Sequence, residues 1–306
     1  MQRIALVGLV VTLAVLFLSA GSRSVRPRDE VLRLHLRSRV FEKSADLNGA
    51  DQNGAYRVVE KTVTWNPRKT ALIVCDMWDD HWCKGAARRV VELATPMNEL
   101  VHRAREMGVL IIHAPCTCVD FYKGTPQRRR AQEAPHANPP VSLSQAVRWG
   151  TKWCWPDTKR ETELPIDDSD MGCDCETKCE IHTPWTRQIA LIDIEEPDAI
   201  SDDGQEVYNL LEHRDIDHVI IAGVHLNMCV LGRSFAIRQM VHLGKDVVLI
   251  RDMTDTMYNS KMKPFVNHFE GTDLMVEHVE RYWCPTITSV DVVGGNPFRF
   301  SEDTRE

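Results

Sequence analysis

The sequence predicts a three-layer α/β/α sandwich around a parallel sheet, and three observations predict it. First, short and almost wholly apolar runs recur: TALIVCD at 70–76, VLIIHAP at 109–115, QIALIDI at 188–194, HVIIAG at 218–223 and DVVLIRD at 246–252. Strands buried on both faces read this way, as continuous rather than alternating runs. Second, the stretches between them carry apolar residues at helical spacing, and alternation of strand with helix is the pattern of a parallel sheet covered on both sides. Third, punctuation falls where the pattern needs it: Pro115 stops one run, and Gly108 and Gly244 end helical stretches.

In chain order, residues 1–22 read as a signal peptide. Arg3 supplies a charged start, Ile4–Leu18 an apolar stretch, and Ala20-Gly21-Ser22 a small-residue cleavage site. The apolar stretch is shorter than the ~20 residues that span a bilayer. The mature protein is expected to be secreted or periplasmic, with no stable membrane span after cleavage. Arg23, Arg26 and Arg28 leave an uncleaved N-terminal anchor as the alternative. An extension at 23–67 follows, in which RLHLRSRVF and YRVVEKTVTW alternate apolar and polar residues as a strand pair flanking a sheet edge. The main domain spans 68–306. TALIVCD is its first strand. A helix at 92–107 carries Leu93, Met97, Leu100, Val101 and Ala104 on one face, and VLIIHAP is the second strand. QIALIDI is the third strand, 204–214 a helix, HVIIAG the fourth strand, 229–243 a helix and DVVLIRD the fifth strand. A helix near 273–281 and TITSVDVV close the sheet.

Between the second and third strands lies a segment, 116–185, much longer than an ordinary strand-to-helix connection. It is rich in Trp, Pro, Asp and Cys. The chain has ten cysteines, and Cys154, Cys173, Cys175 and Cys179 lie in this insert, with Cys116 and Cys118 at its start. In an exported protein such cysteines are expected to form disulfides, which staple a segment lacking its own core. Zinc is the alternative, but the paired C-x-x-C spacing of a zinc knuckle is absent. Cys75, inside a strand, reads as core. The net charge of −7 argues against a nucleic-acid surface, and Arg128-Arg129-Arg130 reads as a solvated helix face.

Candidate chemistry gathers at strand ends. In GVHLNMCV at 223–230, Cys229 follows a buried strand at the mouth of a helix, where unpaired N–H groups favour a thiolate nucleophile. The same position also suits a small buried core residue. Asp76 ends the first strand. In a parallel sheet the carboxyl ends of neighbouring strands lie together, so the two residues should face one pocket, where a carboxylate can take a thiol proton and return it to a leaving group. Asp76 also suits a helix N-cap or a turn. His113 and Asp252 end other strands, and Arg251, Asp255 and Tyr258 follow nearby. Trp78, His81 and Trp82 could stack on a flat substrate or pack the insert.

These segments resemble the isochorismatase-like cysteine hydrolases, a superfamily that includes nicotinamidases. The family's D-x-Q-x-D-F appears as DMWDDH at 76–81, keeping Asp76 and Asp80. Its G-V-x-T-x-x-C-V appears at 223–230, keeping Gly223, Val224, Cys229 and Val230 with Leu226 for Thr. The resemblance covers 68–115 and 187–295. It implies a six-stranded parallel sheet and a cysteine amidohydrolase passing through a thioester, with Cys229 as nucleophile and Asp76 as proton carrier. It also implies a cis peptide between Val224 and His225, and an oxyanion hole from the N–H groups of His225 and Cys229. The family lysine should fall between Ile194 and Asp203, yet 187–212 contains no lysine; Lys84, Lys152, Lys178, Arg187 or Arg233 would have to supply the charge. The nicotinamidase metal motif Asp-x-His is also missing from HAPCTCVDFY, so no metal and no cofactor are expected. The reading is an exported hydrolase of a small amide, with Trp78, His81 and His113 as substrate-binding candidates, a small molecule as partner and a homo-oligomer allowed. The alternatives are a catalytically silent small-molecule-binding protein on the same fold, because of the missing lysine, and a redox or metal-binding protein using the Cys-rich insert.

Overall fold

In the computed structural model, residues 30–43 and 54–305 are described. The signal-like segment 1–22 lies outside them. The described residues from Val31 onward form one compact unit. Among the described residues no helix is long and apolar enough to cross a membrane.

The elements, in order, are β1 (Leu32–Lys43), β2 (Gly54–Trp65), β3 (Thr70–Cys75), α1 (Lys84–Met107), β4 (Leu110–Ala114), α2 (Pro126–Gln132), β5 (Val147–Arg148), β6 (Thr151–Lys152), β7 (Ala199–Ile200), α3 (Gly204–His213), β8 (His218–Val224), α4 (Cys229–Gly232), α5 (Ile237–His242), β9 (Asp246–Asp255), α6 (His268–Tyr282), β10 (Thr286–Ile287) and α7 (Val290–Val293). The main sheet runs β2-β1-β10-β9-β8-β3-β4-β7. The six strands from β10 to β7 are parallel, as the resemblance implies. The sheet has eight strands because β1 and β2 pair antiparallel and β1 adds to β10 at Arg37.

Period-two geometry divides each core strand between two apolar layers. Ala71, Ile73 and Cys75 of β3 face one layer with α3, α5 and α6; Leu72 and Val74 face the other with α1 and α7. The predicted stripe of α1, from Leu93 to Ala104, lies wholly in the second layer. Gly108 and Gly244 follow α1 and α5 with φ of 93° and 78°, the left-handed geometry that glycine adopts without a Cβ clash.

Of TITSVDVV only Thr286–Ile287 is strand, and Val290–Val293 turns into α7; three further expected features are different. The run at 188–194 is not a strand. It touches Trp78 by one isolated bridge at Gln188 and folds into a turn that buries Ile189 and Ile192; the edge strand is β7, beyond Pro197. The helix expected over 229–243 is broken into α4 and α5. The insert causes the break: Cys154 N–H donates to Gly232 O at 2.7 Å, Ser234 N–H donates to Lys152 O at 3.2 Å, and Arg233 leaves helical geometry between them with ψ of 154°. The third difference is in the insert, whose expected disulfides are absent: all ten cysteines are free. Carboxylates hold it instead. Glu161 accepts from Arg238 at 2.7 and 2.9 Å and from Trp283 Nε1 at 2.8 Å, and pairs with His278 Nε2 at 2.8 Å. Asp174 pairs with Arg89 at 2.6 Å, and Asp168 accepts from Asn227 at 2.8 Å.

Candidate active site

The register Cys75↔Gly223 sets β3 and β8 side by side, so the residues after each strand emerge together. Gly223 permits this approach. Its φ is 111°, and a Cβ there would lie 2.1 Å from Cys75 O. After β3 the backbone turns at Asp76, whose φ of 49° places a non-glycine residue in the left-handed region, an arrangement that clusters at functional sites. After β8 the Val224–His225 peptide is cis. The chain then reaches Cys229 at the first position of α4.

Asp76 and Cys229 are both buried and close enough to shift each other's ionisation. Asp76 Oδ1 accepts the Cys116 N–H at 2.7 Å; its Oδ2 has no partner within ordinary hydrogen-bond geometry. Arg233 Nε stands 3.6 Å from that oxygen and is itself without a hydrogen-bond partner. Of the five basic residues that could replace the family lysine, the structure brings this one to the site. Lys84 instead pairs with Asp80 at 2.7 Å and Lys152 with Asp203 at 3.2 Å, on exposed or half-buried surface. Arg233 is 2% exposed. Its Nη1 donates to Thr151 Oγ1, and its guanidinium lies 4.8 Å from the centre of the Trp153 ring. The insert that breaks the helix therefore also fixes the buried Arg233 beside Asp76 and Cys229.

Burial is the largest single influence on all three groups, and it sets the direction for Cys229 and Asp76. It pushes the Cys229 thiol up to about 12, with Arg233 opposing and Asp76 adding to the rise. It raises the Asp76 carboxyl above the usual carboxylate range despite Arg233 and Cys229. Arg233 stays charged, because the surrounding acidic and thiol groups outweigh burial. With only four residues, α4 offers a short dipole, so Arg233 rather than a helix mouth is the main positive influence on the thiol.

The thiol opens into a cavity of about 510 Å³ lined by Trp78, His81, Trp82, Trp149, Trp185, His225, Met257 and Arg233, among others. The three residues that the sequence offered for stacking, Trp78, His81 and Trp82, are there. Trp78 already stacks on Trp185 at 4.3 Å and 11°, so the insert covers one of its faces. His81 is held neutral, its pKa lowered to about 4 by burial. His225 is likewise pushed well down by burial, and its Nε2 has no partner. No other group among the described residues engages the N–H of His225 or of Cys229. His113 is not in the cavity. It is fully buried in the sheet, its ring nitrogens 2.9 Å from Gln188 Oε1 and 3.2 Å from Asp198 Oδ2. Arg251 and Asp252 line a separate cavity, Tyr258 bonds Met262 O, and Asp255 is buried between Arg89 and His268.

Sequence reasoning did not foresee Trp149 and Trp185 as cavity walls, because residues from an irregular insert carry no periodicity to place them. It named Arg233 without selecting it. The signal was the i, i+4 spacing from Cys229, which sets both residues on one side of a helical turn.

No family model and no curated protein matches the sequence. Solved structures with a similar chain path include a cysteine hydrolase from Pseudomonas syringae pv. phaseolicola, at 18% identity over 74% of this chain and 92% of that one, with a TM-score of 0.45. An isochorismatase family protein from Desulfovibrio vulgaris is 14% identical over 73% of this chain and 95% of that one, with a TM-score of 0.40. Pyrazinamidase of Pyrococcus horikoshii, in complex with zinc, is 18% identical over 72% and 99%, with a TM-score of 0.40.

Proposed function

We propose that this protein is a cysteine hydrolase that cleaves the C–N bond of a small amide with a flat or apolar acyl group. The observation that carries the reading is the buried group of Asp76, Arg233 and Cys229, the last two of which line an aromatic-walled cavity, with one carboxylate oxygen and one guanidinium N–H left without a hydrogen-bond partner. Unpaired buried polar atoms are costly and call for a reason. Here a reacting sulfur and the proton it gives up supply one.

In this reading Asp76 takes the Sγ proton and Cys229 Sγ attacks the carbonyl carbon. The oxyanion forms against the N–H groups of His225 and Cys229, both unengaged. Asp76 returns the proton to the leaving nitrogen, the C–N bond breaks and a thioester remains. Water, deprotonated by Asp76, attacks the thioester; the C–S bond breaks, Asp76 returns that proton to Cys229 Sγ and the acid departs. The raised carboxyl pKa makes Asp76 a stronger base, and Arg233 favours the thiolate as it forms. The aromatic walls suit a ring such as that of nicotinamide.

The competing reading is a silent binding protein, and the high pKa of the resting thiol favours it. The test is ammonia release from a panel of small primary amides, nicotinamide included, with Cys229→Ala and Asp76→Asn as controls. Release that disappears in both variants supports the hydrolase. No release, together with alkylation of Cys229 no faster than a model thiol, establishes the binding protein. Activity surviving Cys229→Ala overturns the mechanism.

A further inference from the structure

We propose that Cys83, Cys173 and Cys175 form a zinc-class metal site, with Asp174 beside them at the fourth position, and that the metal fastens the insert over the cavity. The three sulfurs lie within 4.8 Å of one another. Cys83 Sγ is 3.8 Å from Cys175 Sγ and 3.6 Å from Asp174 Oδ1. Zinc binds thiolate at about 2.3 Å and carboxylate at about 2.0–2.2 Å. Tetrahedral geometry then places two sulfurs about 3.8 Å apart and a sulfur and an oxygen about 3.6 Å apart. Both separations match the structure, whereas a disulfide would hold its sulfurs at about 2.05 Å.

The surroundings are those of an anionic centre. Gly85 N–H, in the first turn of α1, donates to Cys175 Sγ at 3.2 Å. A side chain at Gly85 would meet Asp174 Oδ1, 2.6 Å from an added Cβ, so the helix start leaves room for that carboxylate. Arg89 Nη1 donates to the other oxygen of Asp174 at 2.6 Å, which orients the carboxylate and offsets the charge that three thiolates and a carboxylate would leave on a divalent ion. Cys83 and Cys173 are buried and Cys175 is half-buried, so the site is closed enough to hold an ion and open enough to load one.

No local motif announces such a site. Cys83 caps the start of α1, and its partners lie in the insert, Cys175 92 positions later in the sequence. Its neighbours give the site a role. Cys83 N–H donates to His81 Nδ1 at 3.1 Å, and His81 lines the cavity. On the other side, Met171, Ile181 and Trp185 of the same insert form cavity wall. A metal here would tie that wall to α1 and set the shape of the cavity without touching a substrate. Binding releases the thiol protons, so affinity rises with pH.

The test is metal analysis of the full-length protein purified under reducing, anaerobic conditions, followed by cobalt(II) titration of the metal-free form. One equivalent of zinc per chain and an intense sulfur-to-cobalt charge-transfer band are expected. Cys175→Ser and Cys173→Ser should lower affinity by about tenfold or more, while Cys154→Ser and Cys229→Ala keep the stoichiometry and the band. Absence of bound zinc with no charge-transfer band in the wild type overturns the proposal. So does an unchanged band in Cys175→Ser, or a Cys83–Cys175 disulfide in peptide maps of protein never exposed to oxidant. Retention of metal in Cys229→Ala separates this site from the proposed hydrolase centre.

Discussion

Arg233 bears the heaviest load of any single residue, because it is the buried positive charge beside both Asp76 and Cys229. Replacing it by Met removes the group that lowers both pKa values, and two consequences follow. Alkylation of Cys229 at fixed pH slows, because the thiol pKa rises further. The rate of amide hydrolysis falls by roughly 10²–10³, the scale of losing one electrostatic contact to a developing charge. The pH profile has a definite sign. Asp76 works as a base only when ionised, and burial raises its pKa from the ordinary value of 3.8. The acid limb of kcat/KM therefore lies above that value, with activity lost as pH falls through it. In Arg233→Lys the limb stays near its wild-type position. In Arg233→Met it moves to higher pH, because the charge that favoured the carboxylate is gone. A pH–rate profile of the three proteins checks this, and a limb that stays put in Arg233→Met would show that Arg233 does not face the base.

At the scale of elements, the site depends on how closely β8 approaches β3. Gly223→Ala puts a methyl group 2.1 Å from Cys75 O at a φ of 111°. Both the contact and the backbone geometry are unfavourable, at about 1–3 kcal/mol each. Urea unfolding should show a loss of roughly 3 kcal/mol, with hydrolysis reduced further because Asp76 and His225 leave the two strand ends. The core strands were legible in the sequence because strands buried on both faces must be apolar throughout, and the five-residue stripe of α1 because only helical spacing puts Leu93 to Ala104 in one layer. Legibility failed where the insert intervenes. QIALIDI has a strand's composition, but Ile189 and Ile192 are buried by a turn, which composition does not distinguish from a ladder. The periodicity at 229–243 is genuinely helical; what breaks it is pairing with 152–154, a contact that no local pattern contains. His113 ends a strand at the correct edge, yet Gln188 and Asp198 fill both its nitrogens. Strand ends indicate where a pocket lies, and only tertiary partners decide which side chains reach it.

For the molecule as a whole, the question is what holds a long irregular insert on a compact sheet without disulfides. The largest clasp is Glu161, whose side chain is 1% exposed and whose two oxygens meet Arg238, His278 and Trp283. These partners come from α5, α6 and the residue after α6, so a single carboxylate from the insert joins three parts of one layer. Burial alone would raise its pKa; the hydrogen bonds from His278, Arg238 and Trp283 outweigh that and hold it at about 2, against an ordinary value of 4.5. A carboxyl depressed in the folded state stabilises that state fully above its unfolded pKa and loses the contribution as pH falls through the folded one. The window here runs from about pH 4.5 down to about pH 2, and the difference is worth about 3 kcal/mol. Glu161→Gln keeps the shape and removes the charge, leaving Arg238 buried beside a neutral group. At pH 7 it should cost about 3 kcal/mol, as broken buried pairs do. Below pH 3 the cost should shrink, because the wild-type carboxyl is then itself becoming protonated. Chemical denaturation of both proteins at neutral and at acid pH measures the two differences. Equal costs at both would mean that packing, not charge, makes the clasp, and the insert would then be held by its tryptophans.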